Sequence, residues 1–185
     1  MSTVRTGTSS TLFGDKGHIS VGRGVAEFNC RRPVLVTAQN ERLLALPVDG
    51  LDDARLAEFT ALCAPSEPYL VISSRRALAL GINTGTSMAV RLSSAHDAES
   101  ILAFVGDSTS EGVPSAVPAG RAAAAAIQLA KLSHGLPAVL AADLQTYRTA
   151  GIRNVTTFAA WIDAAYAEAF GEPLLIQEYG EELRR

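Results

Sequence analysis

Two apolar runs separated by a few polar residues, in the stretch Arg31 to Asp49 (RRPVLVTAQNERLLALPVD), leave this chain few ways to fold. Pro33 to Val36 is short and β-branched, Leu43 to Val48 is apolar again, and Gln39, Asn40 and Glu41 supply turn chemistry between them. The pair reads as a hairpin of buried strands. A loop between two such strands is a favoured place for chemistry, because rigid neighbours fix its side chains. The tip offers Gln39, Asn40, Glu41 and Arg42, whereas Leu43, Leu44, Ala45, Leu46 and Pro47 carry no ionisable group.

Around this hairpin, helical and extended patterns alternate. Val21 to Cys30 follows Ser20, an N-cap residue type, and spaces Val21, Val25 and Phe28 as a helix does. Asp49-Gly50 turns into a helix over Leu51 to Ala64, ended by Pro65 and Pro68, before the strand Tyr69 to Ser73. Ser74 caps a short helix, Arg75 to Leu80, closed by Gly81. A strand over Met88 to Leu92 precedes a helix over Ala95 to Val105, capped by Ser93 or Ser94. Asp107 to Pro118 is polar and broken by proline, hence a loop or irregular edge. Arg121 to Leu132 (RAAAAAIQLAKL) is a helix by propensity, its alanine face suited to tight packing against a sheet. Ala138 to Ala142 is a strand ending at Asp143, and Phe158 to Phe170 is an amphipathic helix capped by Thr156 or Thr157. This order predicts an α/β (α+β) domain, a mixed sheet flanked by helices. The divisions expected are a flexible arm over 1–18, the domain over 19–144 and a helical extension over 145–185.

Length and composition exclude several classes of function. A chain of 185 residues that is 48% hydrophobic and 19% charged can bury a sizeable core. A net charge of -3 without a run of Lys or Arg argues against nucleic acid or an anionic membrane as partner. No apolar run has the length of a membrane span, and the N-terminal Ser/Thr/Gly-rich segment lacks the apolar centre of a signal peptide, so a cytoplasmic protein is expected. Cys30 and Cys63, far apart and without His or Cys neighbours, read as buried free thiols. His18, His96 and His134 are equally scattered and read as surface or loop residues.

Three stretches, RRPVLVTAQNER, LSSAHDAESILAFVGD and RAAAAAIQLAKLSHGLPAVLAADL, with SSRRALALGI between them, resemble 3,4-dihydroxy-2-butanone 4-phosphate synthase. That riboflavin-pathway enzyme converts ribulose 5-phosphate to a four-carbon phosphate and formate with the help of a divalent ion. The likeness covers most of Gly24 to Leu144, and is closer still to the degenerate synthase-like domain fused to GTP cyclohydrolase II in some bacterial proteins. It implies a homodimer, a small phosphorylated ligand and a cyclohydrolase-like partner. Arg42 matches the arginine of the family's acidic loop, but Leu43 stands at the metal-binding glutamate, and Ala45 and Pro47 replace later acids. The family's metal-binding histidine falls on Ala122. Its catalytic glutamate falls on Asp143, one methylene shorter, while Ser94-Ala95 survives and Asp97 lies close to a family aspartate.

Leucine and alanine cannot replace carboxylate and imidazole as metal ligands. The expectation is therefore a catalytically degenerate binding or scaffold module without metal or cofactor. The rival expectation is an enzyme that kept the pocket and works without metal. In that case Asp143 is the candidate catalytic residue and Arg42, Ser94, Asp97 and Arg121 are the candidate substrate-binding residues, with Arg75 and Arg76 as further cations. An enzyme should gather Arg42, Arg121 and Asp143 around one cavity. A scaffold should fill that space with Leu43 and the alanines. A third expectation places a protein-binding face on the Phe158 to Phe170 helix, the alternative being that Phe158, Trp161 and Ile162 cap the core.

Overall fold

The hairpin belongs to one seven-stranded sheet, between its central strand and one edge. In the computed structural model, which describes residues 16–107, 115–143 and 161–163, β1 (Val34–Ala38) pairs antiparallel with β2 (Glu41–Pro47), Val36 opposite Leu43 and Ala38 opposite Glu41. Glu41 is thus the first residue of a strand, not part of the turn. The turn itself is Gln39-Asn40, with Gln39 at a φ of 51°. Preceding β1, α1 (Lys16–Asn29) begins inside the segment expected to be a flexible arm. After β2 come α2 (Asp53–Cys63), β3 (Tyr69–Ile72), α3 (Ser74–Ala79), β4 (Met88–Arg91) and α4 (Ala98–Gly106). Then follow β5 (Ala116–Pro118), α5 (Arg121–Leu132), β6 (Ala138–Asp143) and β7 (Trp161–Asp163).

The strands lie in the order β5-β4-β3-β6-β2-β1-β7, antiparallel throughout except for the parallel pair β1 and β7. Both faces are covered, which explains why the strands read as unbroken apolar runs instead of alternating ones. Val34, Val36, Leu43, Ala45, Val71, Val139 and Ala141 face α1 and α5. Leu44, Leu46, Leu70, Ile72, Val90 and Leu140 face the other core, with Phe59 and Cys63 of α2, Ala77 of α3 and Ile101 of α4. Ala122, Ala123, Ala125 and Ala126 are buried together with Ile127 and Leu129, so α5 packs closely against the sheet.

Several local expectations change. Residues 161–163, expected within a helix, form a strand, because β1 has an open edge to pair with and Trp and Ile suit an extended backbone. The remainder of the expected Phe158 to Phe170 helix lies outside the described residues. Ser73, not Ser74, caps α3 by accepting from the Arg76 N–H. Asp97, not Ser93 or Ser94, caps α4 by accepting from the Ser100 N–H at 2.8 Å. Ser93 is engaged otherwise: its N–H donates to His96 Nδ1 at 3.0 Å, and its hydroxyl lies 2.8 Å from the same nitrogen. That local turn delays the helix. Cys30 is exposed just beyond the end of α1, whereas Cys63 is buried and its thiol is pushed up to about 12 by burial. Among the described residues no helix is long and apolar enough to cross a membrane.

Candidate functional site

Antiparallel order brings the starts of β2 and β3 and the ends of β4 and β6 to one end of the sheet. There a cavity of about 820 Å³ opens beside the first turn of α5. Leu43, Tyr69, Ala89 and Asp143 contribute to its lining, as do Gly120 and Ala123 at the start of α5. Its charged residues are Glu41, Arg42, Glu67, Arg91 and Asp143.

Asp143 closes β6 and stands directly across from Leu43 on β2. Its Oδ1 accepts a hydrogen bond from the Tyr69 hydroxyl at 3.0 Å, and its backbone carbonyl accepts from the Ser66 hydroxyl at 2.9 Å. The Tyr69 phenol is raised above its ordinary range, first by burial and then by the negative charges of Asp143 and Glu41. Tyr69 is therefore a protonated donor throughout the neutral range. The charges of both carboxylates act on it.

Glu41 has a different task. α5 has glycine at its N-cap and no side-chain cap of its own, which leaves its first N–H groups in need of acceptors. Glu41 Oε2 accepts from the Ala122 N–H at 2.8 Å, reaching the helix from the neighbouring strand. Gly120 makes room for it: a Cβ there would lie 2.6 Å from Oε2. The negative charge also matches the positive end of the helix.

Of the residues singled out from sequence, Arg42 and Asp143 line the cavity. Arg121 opens α5 next to Gly120 without lining it, and Ser94 and Asp97 are not among the lining residues. Asp97 is committed to capping α4, and the bonds from Ser100 hold its carboxyl below the ordinary range. Arg76 is committed too, donating to the Phe104 carbonyl from Nε at 2.9 Å and from Nη2 at 2.6 Å, and also to the Asp107 carbonyl. Tyr69, Arg91 and the capping role of Glu41 were not expected from sequence. Tyr69 and Arg91 are directly opposed across β3 and β4, a juxtaposition that only the strand register creates. The gathering of Arg42, Arg121 and Asp143 is met only in part, since Arg42 and Asp143 line the cavity and Arg121 does not, and Leu43 and Ala123 form part of the wall without filling the space.

The residues present do not fit a divalent ion held as the resemblance would have it. Leu43 is 2% exposed and Ala122 fully buried, both packed as hydrocarbon in the core shared by the sheet and α5. Neither offers a donor atom, and Glu41 is occupied at the helix. Among the described residues no group of three His, Cys, Asp or Glu side chains is placed to hold a metal.

No family model matches the sequence, and no curated protein matches it. Solved structures do match its fold. The two-domain 3,4-dihydroxy-2-butanone 4-phosphate synthase RibBX of A. baumannii superposes with a TM-score of 0.56 at 16% identity, over 79% of this chain and 56% of that one. This chain thus corresponds to little more than half of the two-domain protein. The Candida albicans synthase superposes with a TM-score of 0.54 at 15% identity, over 81% of this chain and 96% of that one. A synthase in complex with two magnesium ions gives 0.54 at 13% identity, over 79% of this chain and 93% of that one. The chain has the fold of the 3,4-dihydroxy-2-butanone 4-phosphate synthases, a largely antiparallel sheet flanked by helices.

Proposed function

From that fold as premise, we propose that the chain is a catalytically degenerate relative of these synthases. It is a binding module that keeps a cavity for a small phosphorylated or polyhydroxylated compound and has lost the metal-dependent lyase reaction. The observation that carries this reading is the wall of the cavity, where buried Leu43 stands opposite Asp143 while Arg42 and Arg91 remain at the lining. The arginines are suited to a phosphate or carboxylate, and Asp143, fixed by Tyr69, to a ligand hydroxyl. The resemblance noted in the sequence extends the reading to a homodimer connected with riboflavin precursors.

The test is direct. Purified protein is incubated with ribulose 5-phosphate and magnesium or manganese, formate is assayed, and binding is followed by thermal shift and calorimetry. Saturable binding without formate, weakened in Arg42→Ala, supports the module. Formate release sinks it.

One observation favours a second reading. The hydrogen-bonded pair Tyr69 and Asp143 is a candidate acid and base inside the cavity, and metal-free enolisation of a sugar phosphate needs no more than such a pair. Deuterium wash-in next to the carbonyl of ribulose 5-phosphate, abolished in Asp143→Asn, would select this alternative.

A further inference from the structure

We infer that Glu41 sets the specificity of the cavity: its carboxylate takes the N-terminus of α5 and denies that position to an anionic ligand group. The inference rests on the reading above that the cavity binds a small ligand, and it adds how that ligand lies.

The geometry is that of a seated counter-anion supplied by the protein. A helix N-terminus facing a cavity is where a phosphate settles, drawn by unpaired N–H groups and the helix dipole. Here the place is taken. Glu41 Oε2 is 2.8 Å from the Ala122 nitrogen, and the carboxylate lies so close over Gly120 that a Cβ there would come within 3.0 Å of its Cδ as well. Glu41, Gly120 and Ala123 all line the cavity, so the occupied terminus belongs to its wall.

Asp143 adds a second acceptor, and the Tyr69 hydroxyl bonded to it is also within electrostatic reach of Glu41. A ligand phosphate placed here would meet two carboxylates. A hydroxyl or an amine would meet acceptors. The ligand's anionic group is therefore left to Arg42 or Arg91, and its hydroxylated part faces Glu41, Tyr69 and Asp143. The class of compound this suits is a polyol carrying one anionic group that an arginine, and not the terminus of α5, receives.

The test uses the full chain as wild type, Glu41→Ala and Glu41→Gln, titrated with inorganic phosphate at constant ionic strength and followed by calorimetry and thermal unfolding. Gln keeps an acceptor for the Ala122 N–H while removing the charge, so one variant remains folded even where Ala does not. The expected result is a gain in phosphate affinity of roughly tenfold in the folded variants, with acetate raising the melting temperature of Glu41→Ala but not of wild type. Equal phosphate affinity in wild type and every folded variant overturns the inference. Ribulose 5-phosphate is titrated in parallel. A wild type that ignores it while Glu41→Gln still gains phosphate overturns the functional reading and supports this one. Binding of ribulose 5-phosphate with phosphate affinity unchanged does the reverse.

Discussion

The Tyr69 hydroxyl donates to Oδ1 of Asp143 at 3.0 Å, tying the first residue of β3 to the last residue of β6 at the mouth of the cavity. Because burial and two nearby carboxylates raise the phenol, its folded pKa lies above the unfolded one. The stability it contributes is complete below the unfolded pKa of about 10 and is lost as pH rises through the folded value.

Tyr69→Phe is therefore expected to cost about 1 kcal/mol near neutrality and to flatten the alkaline loss of stability. Urea unfolding of both proteins at about pH 8 and about pH 10.5 measures it. The gap between them should narrow at the higher pH.

Gly120→Ala should act through Glu41. The added methyl group would collide with the carboxylate, the mobile end of a side chain, which would move aside and give up the Ala122 N–H. A loss of about 1 kcal/mol is expected, as for other lost caps. If the mechanism is right, Glu41→Ala and Gly120→Ala are less than additive in a double-mutant cycle.

Leu43→Ala should cost about 2–5 kcal/mol by denaturant unfolding, since Leu43 is 2% exposed in the core beneath α5. This cost distinguishes a packing residue from a vacated ligand position, which would tolerate truncation.

Arg76→Ala should cost roughly 1.5–3 kcal/mol and leave ligand-induced stabilisation unchanged. Its guanidinium holds the carbonyls of Phe104 and Asp107 at the end of α4 and does not line the cavity. Arg76→Lys cannot reproduce that fork and should recover only part of the loss.

The two thiols should separate kinetically. Cys30 is exposed and Cys63 is buried with its thiol pushed up to about 12. A disulfide reagent near pH 8 should titrate Cys30 at once and reach Cys63 only after denaturant is added.

Where local chemistry decides, the sequence was legible. The alanine run and the flanking glycines define α5 from Arg121 to Leu132, the bounds read from sequence. The hairpin follows from its two apolar runs. Where two local interactions compete, sequence alone misleads: Ser93, Ser94 and Asp97 all suit a helix cap, and the Ser93–His96 bond decides for Asp97. Pairing also overrides periodicity at residues 161–163, where the edge of β1 imposes a strand. Arg42 and Asp143, singled out by their places in the first and last of the resembling stretches, both line the cavity. Tyr69 and Arg91 were not, because they meet only through the β3–β4 register, and Glu41 was hidden because its partner is a backbone N–H far along the chain.

The short strand β5 has a consequence for how the molecule meets its neighbours. The Ala119 N–H donates to the Ser87 carbonyl, so in this ladder Val117 and Ala119 turn their N–H groups toward β4, and Ala116 and Pro118 face outward. Pro118 has no N–H to offer. Among the described residues, the outer rim of β5 thus presents a single strand N–H, and a foreign strand arriving there finds almost no template to copy. This margin of the sheet resists lateral growth into aggregates by its covalent chemistry.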